Sequence, residues 1–222
     1  MRYDFQSINC YAESVCGDSF LCERGADGYV MVASDGLGHG TVANVLSELT
    51  CETVMSEWRG TGSLSVIMSQ LAASLPVGAV SGRAYATFAL VDYNDRSGRV
   101  TLVEYDTPHT LFFRGADQRT LNISPYTISL PDMDYSLRVA QFTPRAGDRL
   151  IYVSDGLTQS GLGTTTMPFG WGENGASAFI SQVLFSRLGV SPAGLCDRLL
   201  NRALGNECNY AHDDMSVLTI EF

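Results

Sequence analysis

The sequence predicts an α+β fold with mostly antiparallel sheet. Candidate strands follow one another through the middle of the chain, while helical patterns occur in separate pairs before and after them, which differs from a strand-helix-strand alternation. The 222 residues are 45% hydrophobic, enough to fill one sizeable core. We therefore expect residues 1–222 to form a single domain.

The first third predicts three strands and then a pair of helices. Short extended patterns cover residues 2–8, 18–24 and 29–33. In the first helix, ended by Gly60–Gly62, the expected buried face comprises Val42, Val45, Leu46, Leu49 and Trp58. The second helix is predicted to begin after Ser63 as cap and to run to Pro76, with apolar residues at Leu64, Ile67, Met68, Leu71 and Leu75.

The middle of the chain is rich in strand patterns separated by turn residues. The predicted strands are residues 84–93, 99–106, 110–114, 119–123, 135–142 and 149–154. Two more helices follow, one carrying Phe179, Ile180, Val183 and Leu184, and the other capped by Ser191 with Pro192 at its first position. Residues 215–222 predict a final strand.

The net charge limits the classes of binding partner, and the cysteines and histidines limit the kinds of metal ligand. Twenty-four acidic and fourteen basic residues give a net charge of -10, which repels nucleic acid and anionic membrane surfaces. The first ten residues have no signal-peptide pattern, and no apolar run approaches the roughly 20 residues of a spanning helix, so we expect a cytoplasmic protein. The six cysteines contain no CxxC pair and the three histidines are scattered, which predicts reduced thiols and, for any metal, carboxylate ligands.

The tetrapeptide Ser-Asp-Gly-Leu occurs twice, at residues 34–37 and 154–157, each time at the end of an apolar run. Asp-Gly is typical of a hairpin turn, but the first copy leads into a glycine loop and a helical pattern. For the second copy the hairpin turn stays an alternative, because the polar segment that follows is long, like a surface loop. A phosphate-binding loop at Gly36–Gly40 is disfavoured, since its spacing is not GxGxxG and Asp35 would repel a phosphate.

Aspartates stand at strand ends in four places of the sequence, at Asp18, Asp35, Asp155 and the pair Asp213-Asp214. Magnesium and manganese prefer carboxylate, carbonyl and water oxygens, and glycine lets a backbone carbonyl come close. Each aspartate alone is typical of a turn. Their joint order favours a metal site.

Those segments together resemble a known family. The segments are Gly-Asp-Ser at 17–19, SDGLGHG at 34–40, YVSDGLT at 152–158 followed by Phe169-Gly170, and DDMSVLTIEF at 213–222. In this order they are similar to the metal-dependent protein phosphatases, the protein phosphatase 2C superfamily, in the bacterial branch of stage II sporulation protein E, RsbU and RsbX.

The resemblance implies an α-β-β-α sandwich of two antiparallel sheets flanked by helix pairs, with two divalent cations, Mn²⁺ or Mg²⁺. The implied ligands are Asp18, Asp35, the Gly36 carbonyl, Asp155 and Asp213. Asp35 would bridge both ions, and Asp18 would bind directly or through water. Asp214 remains the alternative to Asp213.

The implied reaction is hydrolysis of phosphoserine or phosphothreonine by an activated water, without a covalent enzyme intermediate. A cysteine phosphatase is disfavoured because Cys16 lacks a basic loop. Eukaryotic members have a histidine where Leu37 stands, so His39 becomes the candidate proton donor, with the alternative that it only caps the following helix. His109 is interpreted as a structural residue at a strand end, and Gln159 stands where many relatives have Glu.

Because no sensor domain fits beside the catalytic one in 222 residues, we expect an organisation most similar to that of RsbX. The resemblance implies a phosphorylated regulatory protein of the anti-sigma-antagonist (STAS) type as substrate and indicates no oligomeric state. The acidic net charge predicts no nucleic acid or membrane partner. A pseudophosphatase that binds a signalling partner without turnover is the alternative. It has less reason to keep several carboxylates together without cations to offset their repulsion.

Overall fold

A computed structural model describes residues 1–74, 86–131, 133–186 and 189–222. The strands are Arg2–Ile8 (β1), Asp18–Gly25 (β2), Gly28–Gly36 (β3), Ala86–Asn94 (β4), Arg99–Tyr105 (β5), Leu111–Arg114 (β6), Asp117–Arg119 (β7), Ile123–Ser129 (β8), Asp134–Phe142 (β9), Arg149–Val153 (β10) and Met215–Glu221 (β11). The helices are Gly40–Thr61 (α1), Leu64–Ser74 (α2), Asp155–Thr158 (α3), Gly172–Ser186 (α4) and Pro192–Asn206 (α5).

The strands form two antiparallel sheets, which confirms the predicted fold class. One sheet has the order β1-β11-β10-β6-β7 and the other the order β2-β3-β4-β5-β9-β8. The described chain divides into a terminal unit, residues 1–16, 108–121 and 144–222, and a central unit, residues 17–107 and 122–143. Each unit contains one sheet with its helices. The single domain over residues 1–222 stays a prediction.

The core of the central unit lies between its sheet and the helices α1 and α2. Buried side chains of the sheet, among them Val32, Phe88, Leu90, Val103 and Leu137, pack against Cys51, Val54, Met55, Ile67, Met68 and Leu71. Burying such apolar side chains is the main favourable term in folding. The core holds the strands in the register that positions the strand ends described below.

The predicted buried face of α1 was wrong in part. Val42 and Val45 are 72% and 55% exposed. Leu46 is buried as predicted, and the other buried residues are Gly40, Ala43, Ser47, Thr50, Cys51, Val54 and Met55. Small residues such as Ala43 and Ser47 face the sheet because the backbone of α1 comes very close to Gly36, and large side chains would not fit there.

The core of the terminal unit lies between its sheet and the helices α3, α4 and α5. As predicted, Ile180, Val183 and Leu184 of α4 are buried in it. The side chain of Ser191 caps α5 by accepting a hydrogen bond from the N–H of Gly194 at 3.1 Å. Pro192 occupies the first turn, where its missing N–H costs nothing.

Two boundaries in the β-rich segment differ from the prediction. The segment 119–123, predicted as one strand, joins the end of β7 to the start of β8, and β8 itself contains Pro125. Proline cannot donate to a sheet, but β8 is an edge strand with only β9 as neighbour, so a donor is not needed on its other side. Residues 75–85, which include the predicted helix end at Leu75 and Pro76 and the start of the strand at 84–93, lie outside the described residues.

All six cysteines are free thiols, as predicted, and Cys10, Cys51 and Cys196 are buried. Burial raises the pKa of the Cys196 thiol to about 11, which makes it a poor nucleophile. Within the described ranges, no helix combines the length and the hydropathy needed to cross a bilayer.

Candidate metal centre

In the central unit, two aspartates face each other at one end of the sheet. Asp18, the first residue of β2, is the register partner of Asp35 near the end of β3. Directly opposed residues of an antiparallel pair carry their side chains on the same face. The neighbouring residue Ser19 bonds Ser47 of α1, Oγ to Oγ, at 2.7 Å, so the aspartates belong to the face turned away from α1.

This pair is electrostatically unfavourable by itself. Like charges directly opposite each other on adjacent strands destabilise the pair, and Asp18 is only 5% exposed, so water screens its carboxylate poorly. A divalent cation with a preference for oxygen ligands would offset the repulsion. The residues present therefore fit a magnesium or manganese ion.

Gly36 follows Asp35 and is held between two backbone segments. Its N–H donates to the carbonyl of Gly17 at 3.3 Å. A Cβ at this position would lie 2.0 Å from the carbonyl oxygen of Ala43 in α1. Only glycine fits this approach, and the contact fixes the backbone that carries the predicted carbonyl ligand.

In the terminal unit, the second Ser-Asp-Gly-Leu copy meets the Asp213-Asp214 pair. Ser154 is the N-cap of α3, and Asp155 is the first residue of that helix. A Cβ on Gly156 would lie 2.1 Å from the carbonyl oxygen of Asp214 and 3.2 Å from Cβ of Asp213. The fold thus brings together two acidic segments that are far apart in the sequence.

The two residues of the closing acidic pair have different surroundings. Asp213 is partly exposed, and its Oδ1 accepts a hydrogen bond from the N–H of Asp214 at 2.9 Å. Asp214 is 2% exposed, and its Oδ1 accepts from the N–H of Cys10 at 2.9 Å. Its Oδ2 is buried and has no hydrogen-bond partner within the described part of the chain. Burying such an oxygen unpaired is costly, so Asp214 keeps one atom suited to a cation.

Gln159 was missed as a site residue by reasoning from the sequence. Its Nε2 donates to Oδ2 of Asp155 at 2.9 Å. The two residues are four apart in a helical turn, and residues four apart in a helix lie on the same side. The spacing would have revealed the contact if α3 had been predicted as a helix.

The two predicted histidines occupy different positions. His39 is exposed at the N-cap of α1, but its side chain makes no capping hydrogen bond, so the capping alternative is not supported. His109 precedes β6, and its N–H donates to Oε1 of Glu173 at 2.8 Å. Its Nδ1 lies 3.1 Å from the same oxygen, which agrees with a structural role.

In the central unit Asp18 faces Asp35, and in the terminal unit Gly156, the residue after Asp155, lies against the Asp213-Asp214 segment. Over residues 1–74, 86–131, 133–186 and 189–222, no group of three or more histidine, cysteine, aspartate or glutamate residues is arranged to hold an ion. The dinuclear centre that joins all these aspartates stays a prediction.

Solved structures show which fold this is. The phosphatase domain of SpoIIE from Bacillus subtilis matches with a TM-score of 0.67 and 18% identity, over 99% of this chain and 92% of that one. The RsbU and RsbW domains of a Mycobacterium tuberculosis protein match with a TM-score of 0.74 and 17% identity, over 99% of this chain and 61% of that one. RsbX in complex with magnesium matches with a TM-score of 0.60 and 16% identity, over 98% and 92%. The chain has the fold of the protein phosphatase 2C class.

The family assignment is narrower than the fold. The family model of stage II sporulation protein E (SpoIIE) matches residues 25–222, and the chain belongs to this family. A comparison with curated protein sequences finds no significant match. The family and the fold agree with a phosphatase.

Proposed function

We propose that this protein is a metal-dependent phosphatase that hydrolyses phosphoserine or phosphothreonine on a regulatory protein. The observation that carries the proposal is the register pair of Asp18 and Asp35, two like charges at neighbouring strand ends in a chain of the SpoIIE family. Such a pair needs a cation to offset its repulsion, and the reaction proposed here needs a cation as well.

In this proposal, two Mn²⁺ or Mg²⁺ ions are held by Asp18, Asp35, the Gly36 carbonyl, Asp155 and either Asp213 or Asp214. When bound, such ions supply a water activated for in-line attack on phosphorus and stabilise charge on the departing oxygen. The chain contributes the fixed carboxylates. Gly36 and Gly156 hold the acidic segments in place, because each lies against a neighbouring backbone without room for a side chain.

His39 is the proposed proton donor to the departing serine or threonine oxygen. It is exposed and follows Asp35 by four residues, so a bound phosphoprotein can reach its ring. Histidine is the side chain that most often transfers protons in enzyme reactions.

The proposed substrate is an anti-sigma-antagonist (STAS) protein in the cytoplasm. One structural relative carries RsbU and RsbW domains in a single protein, which supports a regulatory protein as the substrate. The family resemblance supplies the STAS class.

The proposal is tested by hydrolysis of p-nitrophenyl phosphate and of a phosphoserine peptide, with Mn²⁺ and with EDTA. We expect Mn²⁺-dependent turnover that falls by about 100-fold or more in Asp35→Asn, because a lost ligand removes several kcal/mol of charge stabilisation. The matched control is Asp27→Asn. Asp27 lies in the turn between β2 and β3 and pairs with Arg96 at the surface, at 2.8 Å.

Folded wild-type protein without turnover at saturating Mn²⁺ would favour the pseudophosphatase. Equal turnover of wild type and Asp35→Asn would reject the assigned metal site. Binding of ATP that depends on Gly36–Gly40 but not on Asp155 would instead favour a nucleotide-binding protein.

A further inference from the structure

The loop of residues 159–171, between α3 and α4, differs in composition from the rest of the chain. It contains no Asp, Glu, Lys, Arg or His, although the chain as a whole has a net charge of -10. Phe169 in this loop is 89% exposed, and Leu162 is exposed as well. The loop therefore presents uncharged and apolar surface, here called the neutral loop.

Hydrogen bonds fix the neutral loop along its length. The N–H of Trp171 donates to the carbonyl of Ser160 at 2.9 Å, which closes the loop at its base. The side chain of Asn206 in α5 donates to Oγ of Ser160 at 3.1 Å. Within the loop, Thr164 Oγ1 donates to the carbonyl of Gly161 at 2.8 Å. Phe169 is thus exposed on an ordered support.

The end of the neutral loop folds back onto its first residue, Gln159, which binds Asp155. Gly170 has a φ of 77°, and a Cβ there would lie 2.9 Å from Cα of Gln159 and 3.0 Å from the carbonyl oxygen of Thr158. Only glycine can take this conformation so close to another backbone segment. Phe169 is the residue before Gly170, which contacts Gln159. The amide of Gln159 in turn bonds the Asp155 carboxylate of the candidate metal centre.

We propose that Phe169 is a specificity-determining residue that docks an apolar side chain of the substrate close to its phosphorylated serine or threonine. This inference rests on the proposed function, because it assigns a substrate feature to the same site. An exposed aromatic on a rigid loop gains favourable contact by burying its ring against an apolar partner.

The charge of the loop agrees with such an occupant. A phosphorylated residue carries about −1.5 to −2 charges near neutral pH, and the acidic surface of this chain would repel it. A loop without acidic residues of its own adds nothing to that repulsion. An extended peptide advances about 3.3 to 3.6 Å per residue, so side chains within four residues of the phosphate sample about 13 to 14 Å on either side of it.

The experiment uses alanine-based phosphoserine peptides with a single leucine placed at each position from −4 to +4. For each peptide, kcat/KM with Mn²⁺ is divided by that of the all-alanine peptide measured on the same enzyme. We expect a preference of about tenfold for leucine at one or two positions in wild type, and a ratio near one in Phe169→Ala. The control is Phe185→Ala at the end of α4, where the side chain is 83% exposed and should leave the preference intact.

Two results would overturn the inference: a wild-type enzyme that hydrolyses the peptides without positional preference, or a preference that persists in Phe169→Ala. Binding of the same peptides, measured by fluorescence polarisation, separates this inference from the proposed function. If no peptide is hydrolysed but leucine peptides bind wild type more tightly than Phe169→Ala, the proposed function fails and docking at Phe169 stands.

Discussion

The two copies of Ser-Asp-Gly-Leu adopt different structures. In the first copy Asp35 and Gly36 complete strand β3, and the following Leu37 is 54% exposed. In the second copy Ser154 occupies the N-cap position of helix α3 without a capping hydrogen bond from its side chain, and the corresponding Leu157 is buried in the core of the terminal unit. One tetrapeptide thus ends a strand in one place and begins a helix in the other, because the chain that follows has different neighbours.

What the copies share is the way they are held. Each serine is buried and bonds an adjacent strand: Ser34 Oγ donates to the carbonyl of Thr87 at 2.7 Å, and Ser154 Oγ accepts from the N–H of Ser216 at 2.9 Å. Each glycine lies against the backbone of another segment of the chain, at a distance that leaves no room for a Cβ. The motif therefore anchors its aspartate in both copies. Its secondary structure depends on the neighbours of the chain that follows.

The largest expected effect comes from adding a methyl group at either glycine. In Gly36→Ala and Gly156→Ala the new Cβ would meet a backbone oxygen at 2.0 and 2.1 Å, and helix α1 or the Asp213-Asp214 segment would have to move. We expect each change to lower the free energy of unfolding by about 3 kcal/mol. The free energy of unfolding is measured by urea denaturation, monitored by tryptophan fluorescence.

Gly60→Ala and Gly205→Ala are the controls for these variants, since a Cβ there meets nothing within 4 Å and both positions are helical. They should raise stability by up to about 1 kcal/mol. If Gly36→Ala or Gly156→Ala is as stable as wild type, close backbone approach is not the reason for glycine in that copy.

A smaller effect distinguishes the two serines. Ser154→Ala leaves the buried N–H of Ser216 without its acceptor, which costs about 1 to 3 kcal/mol. Ser34→Ala removes a donor from a carbonyl of β4, and carbonyls tolerate this better, so we expect about 1 kcal/mol. Chemical denaturation of both variants, with exposed Ser129→Ala as reference, should give the larger loss for Ser154. The reverse order would contradict the assigned hydrogen bonds.

The smallest expected effect concerns the position four residues after each aspartate. Helical geometry brings Gln159 to Asp155, whereas His39 follows Asp35 through a glycine loop. Gln159→Ala should weaken Mn²⁺ binding by about tenfold or less, because the contact only orients a ligand and lies at the surface. Isothermal titration calorimetry measures this, with Gln182→Ala as control. Unchanged affinity in Gln159→Ala would show that Asp155 needs no such support.

The sequence predicted most elements of the fold but less of their orientation. Apolar periodicity predicted helices where α1, α4 and α5 occur, and the predicted strand at 215–222 matches β11 to within one residue. The rotation of α1 was missed, since Val42 and Val45 continue its apolar pattern as well as the buried residues do. Only the close approach of Gly36 to Ala43 decides which face points inward.

The candidate site shows the same division. The motifs were enough to predict Asp18, Asp35, Asp155 and Asp213 as candidates, because aspartate next to glycine or serine at strand ends is a local pattern. Asp214 and Gln159 gained their assignments from contacts made in three dimensions, one with Cys10 across 204 positions of sequence and one within an unpredicted helical turn.

The sequence by itself determined the α+β class, the antiparallel strands and the acidic segments, because periodicity and turn chemistry are local properties of the chain. Only the tertiary structure decided that Asp18 faces Asp35, that Gly156 lies against Asp214 and that Phe169 stays exposed. Strand register and close backbone contacts arise from packing between distant segments. No local pattern contains that information.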